Sequence, residues 1–171
     1  MILKNGAIVL RPYTLDDAPS LAMIANNTKI SDNLRDAFPH PYSLQDAEAF
    51  INKNISGEIK GVFAIIYKGV LVGSIGIHPQ FDIYVKTAEL GYYVAEEYWN
   101  RGIVSKSIEM ITKYGFESLH LTRIFACVFE PNKVSMKVLE KNGFVLECIK
   151  RKAIFKNNQI LDEYYYAKVN D

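Results

Sequence analysis

The sequence predicts a mixed α/β domain of roughly seven strands and four helices, for three reasons. Segments in which apolar residues alternate with a period of two are followed by segments in which apolar residues recur every three to four positions. The chain has 171 residues, of which 49% are hydrophobic, and this is enough to bury a core. No repeat, low-complexity stretch or linker interrupts the pattern, so we expect residues 1–171 to form a single domain.

The chain is predicted to begin with a strand and two helices. The strand GAIVLRPY covers residues 6–13 and ends near Pro12. Thr14 is the expected N-cap of the first helix, TLDDAPSLAMIANN, and Asp17 takes the reciprocal capping position. Ser43 opens the second helix. The loop between the two helices is rich in proline and aromatic residues, so we expect it to do more than connect them.

Three strands and a long helix come next. Residues 62–77 predict two strands that are joined by a hairpin turn at Lys68 and Gly69. The segment TAELGYYV, residues 87–94, predicts the third strand. In residues 101–119 the apolar period changes to about 3.6, which indicates a helix that covers one face of the sheet.

The last third of the chain predicts a strand, a helix and a final pair of strands. The segment TRIFACVF, residues 122–129, is apolar enough to be a central strand. The next helix begins at Asn132 and ends at Gly143. Two further strands, joined by the turn KNNQ at residues 156–159, complete the predicted sheet.

The charge and hydropathy pattern excludes several classes of protein. The 20 Lys and Arg residues against 19 Asp and Glu residues give a net charge of +1, too near neutral for a dedicated nucleic-acid binder. No apolar run approaches the roughly 18 residues that a membrane span needs, and the N terminus lacks the layout of a signal peptide. We therefore expect a cytoplasmic protein with neither a membrane nor a nucleic acid as a direct partner.

The metal-binding and thiol chemistry that the sequence indicates is sparse. The three histidines are scattered and flank no Cys or carboxylate at ligand spacing, so we expect no metal site. The two cysteines, Cys127 and Cys148, lie inside strand-like segments. We expect both to be inert core thiols.

A candidate anion site lies where a strand gives way to the long helix. The first backbone N–H groups of a helix have no intrahelical partner and carry about half a positive charge, which favours phosphate. Gly102 lets the backbone approach a ligand closely, and the N–H groups of residues 100–105 can form an anion-binding concavity. A purely structural glycine turn explains this stretch equally well. The common phosphate motifs G-x-x-x-x-G-K-[ST] and G-x-G-x-x-G are absent.

Several motifs, in the right order, resemble one family. The segments YYVAEEYWNRGIVSKSIEMITKYGF and LTRIFACVFEPNKVSMKVLEKNGF look like the acetyl-CoA-binding core of the GNAT N-acetyltransferase superfamily. The chain is most similar to the RimJ/RimL-type branch, which contains ribosomal-protein N-terminal acetyltransferases, and the resemblance covers nearly its whole length. The matching positions are Trp99, Arg101, Gly102, Val104, Asn132, Ser135 and the run from Val138 to Phe144. Leu139 departs from the family pattern because it replaces a Tyr that acts as general acid in many members.

The resemblance implies the GNAT fold, a mostly antiparallel mixed sheet that splays apart between the fourth and fifth predicted strands, 87–94 and 122–129. Acetyl-CoA would lie in that cleft, with its pyrophosphate on the amides of the turn and its thioester beside the strand backbone. The residues expected to bind it are Tyr92, Tyr93, Val94, Asn100, Arg101, Gly102, Ile103, Val104, Ser105, Asn132, Ser135 and Lys141.

Two residues are candidates for catalysis. Glu89 interrupts an otherwise apolar strand and shares a face with Gly91 and Tyr93, so we expect it to act as the general base. The alternative is a structural carboxylate that binds loop backbone or an Arg. Ser135 is expected to hydrogen-bond the departing thiolate in place of the missing Tyr, or else only to take part in a local cap with Asn132.

The expected acceptor is a primary amine, either the α-amine of a protein N terminus or a small molecule. An α-amine needs less help, because its pKa is about 7.7–8.0 against about 10.4 for a Lys side chain. The resemblance places the acceptor near Phe38, His40, Tyr42, Glu89 and Asp162, although Asp162 can equally satisfy a turn. We expect a monomer or a homodimer.

Two other functions remain open from the sequence. The chain can be a catalytically silent acyl-CoA-binding module or sensor. It can also be a thioester hydrolase with Cys127 as the nucleophile, although a cysteine inside a strand has no evident base partner there.

Overall fold

The computed structural model describes residues 1–170, which form eight strands and five α-helices. The strands are β1 (Leu3–Asn5), β2 (Ile8–Arg11), β3 (Val62–Tyr67), β4 (Val70–Pro79), β5 (Thr87–Val94), β6 (Arg123–Phe129), β7 (Val145–Lys156) and β8 (Gln159–Val169). The helices are α1 (Ala18–Ala25), α2 (Thr28–Ser31), α3 (Leu44–Ile55), α4 (Ile103–Glu117) and α5 (Lys133–Lys141). Short 3-10 turns lie at Leu15–Asp17, Asp82–Tyr84 and Glu96–Tyr98.

All eight strands belong to one sheet in the order β1-β2-β3-β4-β5-β6-β8-β7. Every neighbouring pair is antiparallel except β5 and β6, which are parallel. These two strands pair only from Thr87 opposite Arg123 to Glu89 opposite Phe125, although β5 continues to Val94. The predicted splay between the two strands is thus confirmed, and beyond Glu89 the sheet opens into a cleft.

The two faces of the sheet carry separate apolar clusters. On one face α4 and α5 cover a cluster that includes Ile77, Leu90, Ile108 and Ile124. On the other face α1 and α3 cover a smaller cluster around Leu21, Ile51, Ala64 and Leu71. Because side chains alternate along a strand, Leu90 and Tyr92 of β5 lie on the α4 face, whereas Glu89, Gly91 and Tyr93 lie on the α1/α3 face.

The α1/α3 cluster does not extend across the whole sheet. Within residues 1–170 it contains no residue of β6, β7 or β8. On these strands the corresponding positions, among them Phe125, Cys127 and Tyr165, are only half-buried. One face of this part of the sheet is therefore open beside Glu89.

The position of β7 corrects the expectation for Cys148. This residue is exposed, because β7 is the edge strand of the sheet and almost all of its residues face solvent. Cys127, on the central strand β6, is half-buried.

No helix within residues 1–170 is both long enough and apolar enough to cross a membrane.

Candidate functional site

The turn that leads into α4 is held in an unusual backbone conformation. The indole N–H of Trp99 donates a hydrogen bond of 2.8 Å to the carbonyl oxygen of Val94, which closes the turn against the end of β5. Asn100 and Gly102 both have positive φ angles, 59° and 72°, and Gly102 is the N-cap residue of α4. The left-handed conformation at residue 102 suits glycine, which explains the residue type at this position.

The backbone N–H groups at the start of α4 are available to a ligand. No side chain of the described residues caps this helix. The side chain of Ile103 is buried in the core, and that of Val104 is half-buried and packs against it. A Cβ atom at Gly102 would meet nothing within 4 Å, so the space in front of the turn is open. This arrangement can hold a phosphate group.

The basic and polar side chains near this turn contact two different parts of the structure. The Arg101 guanidinium lies over the ring of Tyr98, 5.2 Å from its centroid. The hydroxyl of Ser105 accepts a hydrogen bond of 3.0 Å from Asn142 Nδ2. Lys141 lines a groove of about 540 Å³ together with Ser105. Lys141 and Ser105 thus lie together between α4 and the end of α5.

The start of α5 faces β5 across the splay. Asn132 is the N-cap, since its side chain accepts from the Ser135 backbone N–H at 3.2 Å. The Ser135 hydroxyl instead shares a hydrogen bond of 2.6 Å with the hydroxyl of Tyr92. Burial raises the pKa of Tyr92 to about 12, although the bond to Ser135 opposes the rise. Both hydroxyls are therefore protonated at neutral pH and can donate.

The Tyr92 hydroxyl is a feature that sequence reasoning missed. Tyr92 is expected to bind the cofactor, but nothing in the sequence assigns its side chain a separate role. The available signal was strand alternation, which puts Tyr92 on the opposite face from Glu89. That face is the one that α5 covers.

On the other face Glu89 forms an ion pair. Arg35, in the loop after α2, donates from Nη2 to Glu89 Oε1 at 2.6 Å, and the Glu89 side chain is 21% exposed. His78 is the direct partner of Glu89 in the β4–β5 register. Sequence reasoning missed Arg35 and His78, and only the hairpin register of β4 and β5 could have indicated His78. The ion pair agrees with the structural alternative for Glu89 and does not exclude its use as a base.

The aromatic residues expected at the acceptor side meet near Glu89. The ring of Phe38 lies 5.4 Å from that of Tyr93 and 5.0 Å from that of Tyr42, measured between centroids. Tyr42 is buried, whereas His40 is exposed. The structure therefore brings Phe38 and Tyr42, but not His40, into one wall with Tyr93.

Asp162 is engaged by the backbone of β7. One of its carboxylate oxygens accepts from the Lys152 N–H at 2.7 Å, where the register of β7 and β8 shifts. Its own N–H donates to Glu130 at 3.2 Å. These bonds favour the alternative in which Asp162 satisfies local backbone groups over a direct role in acceptor binding.

The surroundings of Cys127 disfavour a nucleophilic thiol. Burial, together with the nearby carboxylates Glu163 and Glu89, raises the pKa of Cys127 to about 12. A reactive cysteine needs a stabilised thiolate. The thioester-hydrolase hypothesis therefore loses support.

Comparisons with known proteins identify the family of the chain. Residues 7–145 match the model of the Acetyltransferase (GNAT) domain family. The chain is 35% identical to an uncharacterized N-acetyltransferase, YnaD, of Bacillus subtilis, over 98% of this chain and 96% of that protein. The chain belongs to the GNAT acetyltransferase family.

A further relative and a solved structure support the predicted branch and fold. The ribosomal-protein-serine acetyltransferase of Escherichia coli strain K12 is 28% identical, covering 75% of this chain and 73% of that protein. The crystal structure of the microcin C7 self-immunity acetyltransferase MccE, in complex with acetyl-CoA and AMP, is similar with a TM-score of 0.82. It is 27% identical and covers 97% of this chain and 94% of that one. The predictions of a RimJ/RimL-like GNAT member and of its fold are confirmed.

Proposed function

We propose that this acetyltransferase moves the acetyl group of acetyl-CoA to the α-amine of a protein N terminus, by direct attack in a ternary complex. The observation that carries the proposal is the arrangement around the splay. Glu89 lies on the open face of β5, and the Tyr92–Ser135 hydroxyl pair lies on the other face. A base on one side and proton donors on the other suit a reaction in which the amine and the thioester meet at the opening.

Acetyl-CoA is the acetyl donor, and the residues around α4 suit its binding. The uncapped N–H groups of Ile103, Val104 and Ser105 would hold the pyrophosphate. Lys141 and Arg101 lie near enough to this turn to add positive charge for the phosphates. The thioester would then lie along the part of β5 that pairs with β4 but not with β6, where a backbone N–H of Tyr93 or Val94 would bind the oxyanion. A donor of that kind contributes about 3–4 kcal/mol where it has been measured.

The transfer requires one proton to leave the amine and one charge to be stabilised on sulfur. The amine nitrogen attacks the thioester carbonyl carbon, and Glu89 accepts the amine proton directly or through a water molecule. The C–S bond then breaks, and the electron pair leaves on the CoA sulfur. The Ser135 hydroxyl would donate to this thiolate, and Tyr92 would hold that hydroxyl in position. This hydroxyl pair would take the role of the general-acid Tyr that many family members have at the position of Leu139.

The choice of an α-amine follows from its pKa and from the relative that acetylates a ribosomal protein. At neutral pH an α-amine is partly unprotonated, whereas a lysine ammonium has a pKa of about 10.4.

A thiol-release assay with three types of acceptor tests the proposal. The acceptors are a peptide with a free α-amine and no lysine, a peptide with a blocked N terminus and one lysine, and spermidine. We expect thiol release and a product heavier by one acetyl group only with the first peptide. Acetylation of spermidine or of the lysine alone would overturn the choice of acceptor. Normal acetyl-CoA binding without thiol release from any acceptor would favour a silent module.

A further inference from the structure

A pocket lies on the open face of the sheet beside Glu89. Its volume is about 280 Å³. It lies between the loop that joins β4 to β5 and the first residues of β6. The residues that line it are Gln80, Tyr84, Thr87, Arg123, Phe125 and Tyr165, and we call it the aromatic pocket.

The aromatic pocket is continuous with the proposed acceptor side of the site. Thr87 and Glu89 lie on the same face of β5, two residues and therefore about 6.6 Å apart. Phe125, in the wall of the pocket, is the register partner of Glu89 on β6. A group bound next to Glu89 is thus within one side-chain length of the pocket.

The walls of the aromatic pocket are suited to an uncharged side chain. The rings of Phe125 and Tyr165 are stacked, 4.9 Å apart between centroids. Arg123 lines the pocket but directs both Nη atoms to the carboxylate of Glu147, with Nη1 at 2.9 Å. A charge that is already paired attracts a second ionic group weakly, whereas the half-buried apolar surface of Phe125 and Tyr165 favours aromatic and aliphatic groups.

The rim of the pocket carries apolar residues that water surrounds in the free protein. In the connection between β4 and β5, Phe81 is 82% exposed and Tyr84 is 61% exposed. Ile83 and Val85 are exposed as well. A contiguous exposed apolar group of this kind marks a surface that contacts a ligand or partner. Tyr84, which also lines the pocket, connects this rim to the interior.

We propose that the aromatic pocket receives the side chain of the acceptor's second residue and selects aromatic or large aliphatic groups there. The inference rests on the proposed function, because it requires the acceptor α-amine at Glu89. In an extended peptide consecutive Cα atoms are about 3.8 Å apart, and consecutive side chains point in opposite directions. When the acceptor's α-amine lies at Glu89, the side chain of its second residue is therefore long enough to reach Thr87 in the pocket wall. A polyamine would instead bring a second ammonium group toward Arg123.

Peptides that differ only at the second residue test this assignment. The series keeps a first-residue Ser and places Phe, Leu, Gly or Asp second, and kcat/KM is measured by thiol release. We expect Phe and Leu to exceed Gly by about tenfold or more, since apolar groups in pockets discriminate by roughly 10–200-fold. Asp is expected to be no better than Gly.

Two exposed apolar residues, one in the pocket and one outside it, supply a matched pair of variants. Tyr84→Ala is expected to lower kcat/KM for the Phe peptide by about tenfold and to leave the Gly peptide unchanged. Met23→Ala, which removes an exposed apolar side chain of α1 that does not line the pocket, is expected to change neither peptide. Equal turnover of all four peptides, or equal effects of the two variants, would overturn the pocket and leave α-amine acetylation intact. Failure of every peptide would overturn both proposals.

Discussion

At the scale of single residues, Glu89 has two explanations that the structure makes separable. It is the general base of the proposed mechanism, and it is also one half of an ion pair with Arg35. If only the ion pair matters, removing either partner has the same effect. If the carboxylate takes the amine proton, only a substitution of Glu89 lowers kcat strongly.

Glu89→Gln is expected to lower kcat by a factor of about 10² to 10⁴, the usual contribution of a general base. Arg35→Gln breaks the same ion pair but keeps the carboxylate, and its kcat is expected to stay within about threefold, because an exposed pair contributes little. Steady-state kinetics of the two variants with one peptide gives the comparison. Equal losses in both variants would assign Glu89 a structural role.

A second residue-level prediction concerns Asp17, which anchors the start of α1. Both oxygens of its carboxylate accept from Arg11 at 2.7 Å, and one also accepts from the Thr14 N–H at 2.8 Å. Burial alone would raise the pKa of Asp17, but these hydrogen bonds outweigh it and the pKa is lowered below its ordinary value of 3.8. Asp17 therefore stabilises the fold at neutral pH. That contribution is present above pH 3.8 and is lost as the pH falls through the lower folded-state pKa.

Asp17→Asn is expected to lower the free energy of unfolding by about 1–3 kcal/mol at pH 7, the range for a charged hydrogen bond. The difference from the native chain is expected to shrink as the pH falls below the ordinary value of 3.8. Urea unfolding at a series of pH values measures this difference in the free energy of unfolding. Asp16→Asn, a change at the neighbouring exposed carboxylate, serves as the control. A difference that is independent of pH would contradict the assigned role.

At the scale of elements, residues 27–36 form a strap across the acceptor side, which we call the α2 strap. Asn27 and Lys29 both bind the carboxylate of Glu96, in the turn before α4. At the other end of the strap, Lys156 of β7 donates to Asp36 at 2.7 Å. Asn157, in the turn between β7 and β8, donates to Asp32 at 2.9 Å. The α2 strap thus connects the 3-10 turn Glu96–Tyr98, which precedes α4, to the β7–β8 hairpin.

Lys156→Met keeps most of the buried stem of this side chain, which is only 9% exposed, and removes its bond to Asp36. We expect the free energy of unfolding to change by less than about 1 kcal/mol, because Asp36 is well exposed. Amide hydrogen exchange in residues 32–36 is expected to become about fivefold faster or more, since local opening depends on such contacts. Lys53→Met, which removes an exposed pair with Glu58, is the control. Unchanged exchange in the strap would show that other contacts hold it.

Elements with strong local signals were predicted well from the sequence. The turn at Lys68 and Gly69 and the turn at Asn157 and Asn158 have positive φ angles, as two-residue hairpin turns require. The N-caps at Ser43 and Asn132 are confirmed by side-chain hydrogen bonds. β1 and α2 were missed because three or four residues are too few to establish a period. The expectation for Cys148 was wrong because an apolar strand pattern does not reveal which strand forms the edge.

At the scale of the whole molecule, the candidate site is formed by elements that are distant in sequence. The tight turn into α4 could be predicted because residues 99–105 are contiguous and their backbone geometry is local. The contacts of Glu89 with Arg35 and of Tyr92 with Ser135 join residues 54 and 43 positions apart. Only the strand order and the placement of the α2 strap bring them together. Sequence reasoning therefore named Glu89, Ser135 and Tyr92 but missed Arg35 and the contact between Tyr92 and Ser135.

Titration of acetyl-CoA by calorimetry, with two glycine variants, tests the cofactor site most directly. Gly102 and Gly57 both have left-handed φ angles, +72° and +79°, and a Cβ atom at either would meet nothing within 4 Å. Gly102→Glu and Gly57→Glu therefore introduce the same backbone strain and the same negative charge, but only the first lies at the N terminus of α4. We predict that Gly57→Glu binds acetyl-CoA like the native chain and that Gly102→Glu binds at least about a hundredfold more weakly, roughly 2.7 kcal/mol. Equal affinity of the two variants would contradict a cofactor site on the turn into α4.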